Sequence, residues 1–177
     1  TLIEPCTYEG SEPWFQELLR TGKGAISSEI IVQLYCQSPQ NVQLRVTDPL
    51  LVLRWPQWSQ DVPMIGLTSR SYSLADLTHN HLQRLNIPLD LVHFNPEHFP
   101  GVASKGVLFT SGGVKSQFVK ALLTQNPLYR ERTIVFVDDS VHHLESMEAF
   151  LKSENLSYRL YLYTGSRQKY ESARHVS

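Results

Sequence analysis

The fold of this chain turns on Thr133-Ile134-Val135-Phe136-Val137-Asp138-Asp139. An unbroken run of β-branched and aromatic residues ends there on two adjacent carboxylates. A continuous run of this kind reads as a strand buried on both faces, as in a parallel sheet. Beyond it, Val141, Leu144, Met147, Phe150 and Leu151 recur at helical spacing, and Tyr158 to Tyr163 forms a last strand. Upstream, Gly106 to Thr110 reads as another strand, leading through Ser111-Gly112-Gly113 into a helix with Phe118, Leu122 and Leu123. Further upstream, Pro63 to Leu67 ends on Thr68-Ser69-Arg70. Leu74, Leu77, Thr78, Leu82 and Leu85 follow at helical spacing, closed by Asn86-Ile87-Pro88. Strands alternating with helices in this way indicate βαβ units, an α/β fold and an open parallel sheet. Ligands bind at the carboxyl ends of the strands of such sheets. Thr68, Ser69, Arg70, Asp138 and Asp139 all fall at those ends.

Residues 11–60 have a different character. Trp14, Phe15, Leu18 and Leu19 give one helical stripe, and Ile30, Ile31, Leu34 and Tyr35 give a second. Pro39, Pro49 and Pro56 then punctuate a stretch with no clear period. The region reads either as a small helical cap or as peripheral helices of the sheet domain. The sequence predicts one domain over residues 1–164. A polar tail, 165–177, carries Arg167, Lys169 and Arg174 and reads as a last helix or a linker.

Composition narrows the function classes. Sixteen basic residues against seventeen acidic ones leave a net charge of −1. That balance gives no global attraction to nucleic acid or to an anionic membrane. No apolar run approaches the ~20 residues needed to cross a bilayer. Two cysteines, Cys6 and Cys36, are too few for a disulfide framework and suit a reducing, cytoplasmic compartment. The positions six residues after them hold Glu12 and Val42, so neither has the arginine that a cysteine phosphatase needs.

Asp138-Asp139 is the strongest chemical signal. Two adjacent carboxylates at the end of a buried strand repel each other and are costly to desolvate without a cation. Mg²⁺, which takes one or two carboxylates plus waters and phosphate, resolves that conflict. A helix cap or turn is the structural alternative. Thr68-Ser69 offers a hydroxyl and backbone N–H groups suited to a phosphoryl oxygen, with N-capping as its plainer role. Lys115, at a helix start, supplies a charge that would neutralise a phosphoryl group. Val114 separates Gly113 from Lys115-Ser116, which rejects a P-loop. His142 and His143 point about 100° apart on a helix, so only one would face the aspartates, and both read as surface residues. His79 and His81 sit on divergent helix faces, against a nuclease site.

Taken together, strand-Thr68, helix-start Lys115 and strand-Asp138-Asp139 resemble three ordered motifs of the haloacid dehalogenase superfamily. Thr1-Leu2-Ile3 resembles the end of that family's first motif, Asp-x-Asp-x-Thr. Gly66-Leu67-Thr68-Ser69-Arg70 and Gly106-Val107-Leu108-Phe109-Thr110 resemble a little-characterised bacterial branch of it, with members in intracellular pathogens. The resemblance implies a Rossmann-like three-layer parallel sheet with at most a small cap. It implies a Mg²⁺-dependent phosphatase acting through an aspartyl-phosphate, with the nucleophilic and acid/base aspartates ahead of Thr1. Thr68 and Lys115 would then be catalytic, Thr1, Ser69 and Arg70 would bind substrate, and Asp138 and Asp139 would hold Mg²⁺. The short stretch before Thr68 implies an open site accepting phosphoproteins such as phosphotyrosine substrates. A non-catalytic binding scaffold and a phosphomutase are the alternatives.

Overall fold

A computed structural model describes residues 3–5, 44–46, 49–87, 89 and 99–164. Thr1, both helical stripes expected between residues 11 and 35, and the tail after Thr164 lie outside the described residues. The chain divides into two compact units. One holds Thr1–Pro56, Asp76–Pro88 and Gly165–Ser177, and the other holds Gln57–Ala75 and Leu89–Thr164.

In the first unit, β1 (Ile3–Pro5) pairs antiparallel with β2 (Leu44–Val46), Ile3 opposite Val46. Helix α1 spans Pro49–Asp61 and crosses from this unit into the other. Its first residue is proline, whose fixed φ and missing N–H suit a helix start. Pro56 is carried inside the helix, where sequence alone predicts a break.

The second unit positions the site. Strand β3 (Gly66–Thr68) is followed by a 3₁₀ turn, Tyr72–Leu74, and by α2 (Ala75–Arg84), whose body belongs to the first unit. Ser71 caps the turn by accepting from the Ser73 N–H. Then come β4 (Ala103–Ser104), β5 (Val107–Phe109), α3 (Lys115–Gln125), β6 (Ile134–Asp138), α4 (Val141–Ser153) and β7 (Tyr158–Leu162). Strand β5 lies between β3 and β4, parallel to β3 and antiparallel to β4, with Thr68 opposite Phe109. Strands β6 and β7 pair in parallel, Asp138 opposite Leu162. The fold is mixed α/β. Its described strands form three small sheets, with both parallel pairs in this second unit.

Phe99, Ala103, Leu108 and Leu122 form a buried cluster, flanked by Ile65, Leu67, Val102, Phe118 and Tyr129. Met147 and Leu151 of α4 are fully buried, in keeping with their helical spacing. One expectation is corrected here. Strand β6 is not buried on both faces, because Val135 and Val137 are 57% and 51% exposed. Helix α4 packs on β6 and β7, and along β6 burial alternates, with Ile134, Phe136 and Asp138 on the covered side. An apolar run shows what both faces tolerate, not which face is covered.

Candidate functional site

The site begins with two interlocked loops. At the end of β3 the Thr68 hydroxyl oxygen accepts from the Arg70 N–H at 3.3 Å, which closes a tight turn. At the end of β5 the turn Thr110–Gly113 donates into that loop. The Thr110 N–H donates to the Thr68 carbonyl (2.8 Å), the Ser111 N–H to Arg70 (3.2 Å) and the Gly112 N–H to Ser69 (3.0 Å). Ser111 and Gly112 adopt left-handed backbones, φ 49° and 79°, which turns successive N–H groups toward neighbouring carbonyls. Gly113 allows the exit, since a Cβ there would lie 2.9 Å from the Thr110 carbonyl oxygen and 3.1 Å from Phe118.

Helix α3 starts two residues later. Its first residue, Lys115, reaches across to the end of β6, and its Nζ donates to Asp138 Oδ2 at 2.6 Å. The side chains are 11% and 5% exposed, so this is a buried ion pair. Asp138 Oδ1 accepts from the Ser140 N–H at 2.9 Å and lies 2.9 Å from His143 Nδ1. An ionised carboxylate only accepts, so the imidazole hydrogen sits on Nδ1. Burial pushes the Asp138 carboxyl up. Its bonds to Lys115, His143 and Ser140 outweigh that and hold it below the ordinary carboxylate range. Asp138 is therefore anionic at neutral pH.

The sequence-predicted residues are thus brought together unequally. Lys115 and Asp138 touch. Thr68, Ser69 and Arg70 reach them through backbone bonds to the turn that leads into Lys115. Asp139 is half-buried beside Asp138. Thr1 lies outside the described residues.

Two residues stand at the site without an assignment to it from sequence. His143 is 35% exposed, in keeping with a surface position, and is the one of the two histidines that faces the aspartates, lying against Asp138. Its signal was position, because it stands in the first turn of α4, where a side chain reaches back past the helix start. Thr110 is the other. It is 4% exposed, and its Oγ1 has no hydrogen-bond partner among the described residues.

A carboxylate oxygen is the donor type a hard divalent cation takes, and Asp138 is oriented by hydrogen-bond donors, as ligating carboxylates are. No group of three or more His, Cys, Asp or Glu side chains arranged for a metal occurs among the described residues. Mg²⁺ needs fewer protein ligands than that.

The model of a family described as "Protein of unknown function (DUF2608)" matches residues 43–175, about three quarters of the chain, and the chain belongs to that family. The match is to this family and not to a haloacid dehalogenase family, which overturns the superfamily assignment suggested by the ordered motifs. The motif residues are short and common at strand ends and helix starts, so their order alone did not identify a family. No curated protein and no solved structure matches the chain.

Proposed function

We propose that this member of the DUF2608 family is a Mg²⁺-dependent phosphohydrolase whose site lies at the carboxyl ends of β3, β5 and β6. The observation that carries the reading is the buried Lys115–Asp138 pair, which ties the start of α3 to the end of β6. We take the two parallel strand pairs as parts of one Rossmann-like layer, an arrangement that gathers strand ends into a ligand crevice. Asp138 and Asp139 would hold the cation, which when bound shields the negative charge of the approaching phosphate. Lys115 holds Asp138 anionic and offers its remaining hydrogens to a phosphoryl oxygen. Thr68 accepts from Arg70, so its own hydroxyl hydrogen is left to donate. Arg70 and the Ser69 N–H extend the same donor edge. Because Asp138 is engaged at both oxygens, it positions and binds and does not attack phosphorus. A phosphorylated protein, phosphotyrosine included, is the proposed substrate class.

The same engagement favours a second reading, a scaffold that binds a phosphorylated partner without turning it over. One assay separates the two. The full-length protein is given an aryl phosphate and phosphotyrosine peptides, with and without Mg²⁺. Asp139→Asn, Arg70→Ala and Lys115→Ala run alongside, each checked for folding by thermal melt. Mg²⁺-dependent turnover, reduced at least tenfold in folded Asp139→Asn, is expected. Binding of the phosphopeptide with no turnover by the wild type would replace the first reading with the second.

A further inference from the structure

An ionised carboxylate offers about four acceptor sites, two on each oxygen. On Asp138 the Oδ1 pair is filled, one site by the Ser140 N–H and one by His143 Nδ1–H, each at 2.9 Å. Oδ2 accepts from Lys115 Nζ and, among the described residues, keeps its second site. We infer that His143 is a positioning residue that, with the Ser140 N–H, leaves Oδ2 as the single Asp138 oxygen open to a divalent cation. The inference rests on reading Asp138 as a cation ligand.

The geometry gives each donor its own task. The Ser140 bond spans two residues and belongs to the turn that starts α4, so it fixes where the carboxylate sits. It leaves rotation about the last side-chain bond only half restrained. His143, one helical turn on, meets the same oxygen and closes that rotation. Lys115 then meets the other oxygen from α3. Held in this way, Oδ2 would present a lone pair of fixed direction to a cation. Without the imidazole one Oδ1 site opens to a competing ligand, and only the Ser140 and Lys115 bonds are left to hold the carboxylate's orientation. Such outer partners of a metal ligand typically contribute about 10–100-fold in affinity.

The test is Mn²⁺ binding to the full chain, read by the loss of the free-ion electron paramagnetic resonance signal, which needs no turnover. The variants are His143→Ala and His143→Asn, the second placing an amide N–H near the site of Nδ1–H. Thermal melts show whether each is folded. The expected result is a 10–100-fold weaker Kd for His143→Ala, with His143→Asn within about threefold of wild type. Affinity unchanged or tightened in His143→Ala would overturn the inference. So would two equally weakened variants, since the hydrogen bond would then not be the cause, or a wild type that binds no Mn²⁺. Aryl phosphate turnover by the wild type is scored separately. Its absence beside the expected Mn²⁺ pattern would sink the hydrolase reading and leave the role of His143 standing.

Discussion

At the scale of single residues, the buried pair sets the largest energies. Lys115 and Asp138 are both largely removed from water. Removing one partner from such a pair leaves the other charge uncompensated and costs about 3–5 kcal/mol. Lys115→Met should therefore lower the free energy of unfolding by about that much, read from urea melts at neutral pH. A loss under about 1 kcal/mol would place the pair in the class of solvent-screened surface bridges. Gly113→Ala should also destabilise, since its Cβ would crowd the rigid Thr110 carbonyl. Thr110→Val behaves oppositely. It removes a hydroxyl with no partner among the described residues, so a melting temperature equal to or above wild type is expected. A drop of several degrees would mean that the hydroxyl is satisfied by ordered water. Lys115 and Asp138 were legible in the sequence because charges at the ends of apolar patterns stand out. His143 was not, because the partner that defines its role lies five residues back across a helix start, where periodicity gives no direction.

At the scale of elements, the end of α2 was legible for a physical reason. Helix α2 stops at Asn86, φ 53°, with the Ile87 N–H returning to the Leu82 carbonyl and the Asn86 N–H to Gln83. Helix α4 ends in the same way at Asn155, φ 52°, with Leu156 returning to Leu151 and Asn155 to Lys152. Asparagine tolerates the left-handed backbone that closes a helix better than other side chains do. Asn155 stands in a glycosylation triplet, Asn155-Leu156-Ser157, but its structural task is to end α4. Asn155→Ala should cost about 1 kcal/mol, and Asn155→Gly should be close to neutral. Equal melting temperatures for the two would show that the left-handed cap is not limiting. Strand β2 and helix α1 were not legible. Pro49 suits a helix start, but Pro56 argues locally for a break, and the helix carries it in its interior. Sheet partnership was likewise hidden, since pairing depends on which edges meet and an apolar run does not encode its neighbour.

For the molecule as a whole, the response to pH follows from where the carboxylates are held. Asp138, Glu148 and Glu154 all titrate below their ordinary range in the folded chain. In Asp138 the bonds from Lys115 and His143 outweigh burial, while Lys152 holds Glu148 down and Arg130 with Lys120 holds Glu154 down. A group whose folded value is depressed contributes stability that is complete above its unfolded value and is lost as pH falls through the folded one. The chain should therefore keep its full stability from neutral pH down to the ordinary carboxylate range and lose it progressively below. Salt separates the contributors. Glu148 and Glu154 are met by cations at the surface, and high salt screens them. The Lys115–Asp138 pair is shielded from solvent and should resist screening. Melting temperature measured against pH at low and at high ionic strength should retain an acid-side slope in salt, and Asp138→Asn should remove most of that slope. If high salt alone abolished the slope in the wild type, the acid response would belong to the surface pairs, and the loops at the ends of β5 and β6 would not be held by a buried charge.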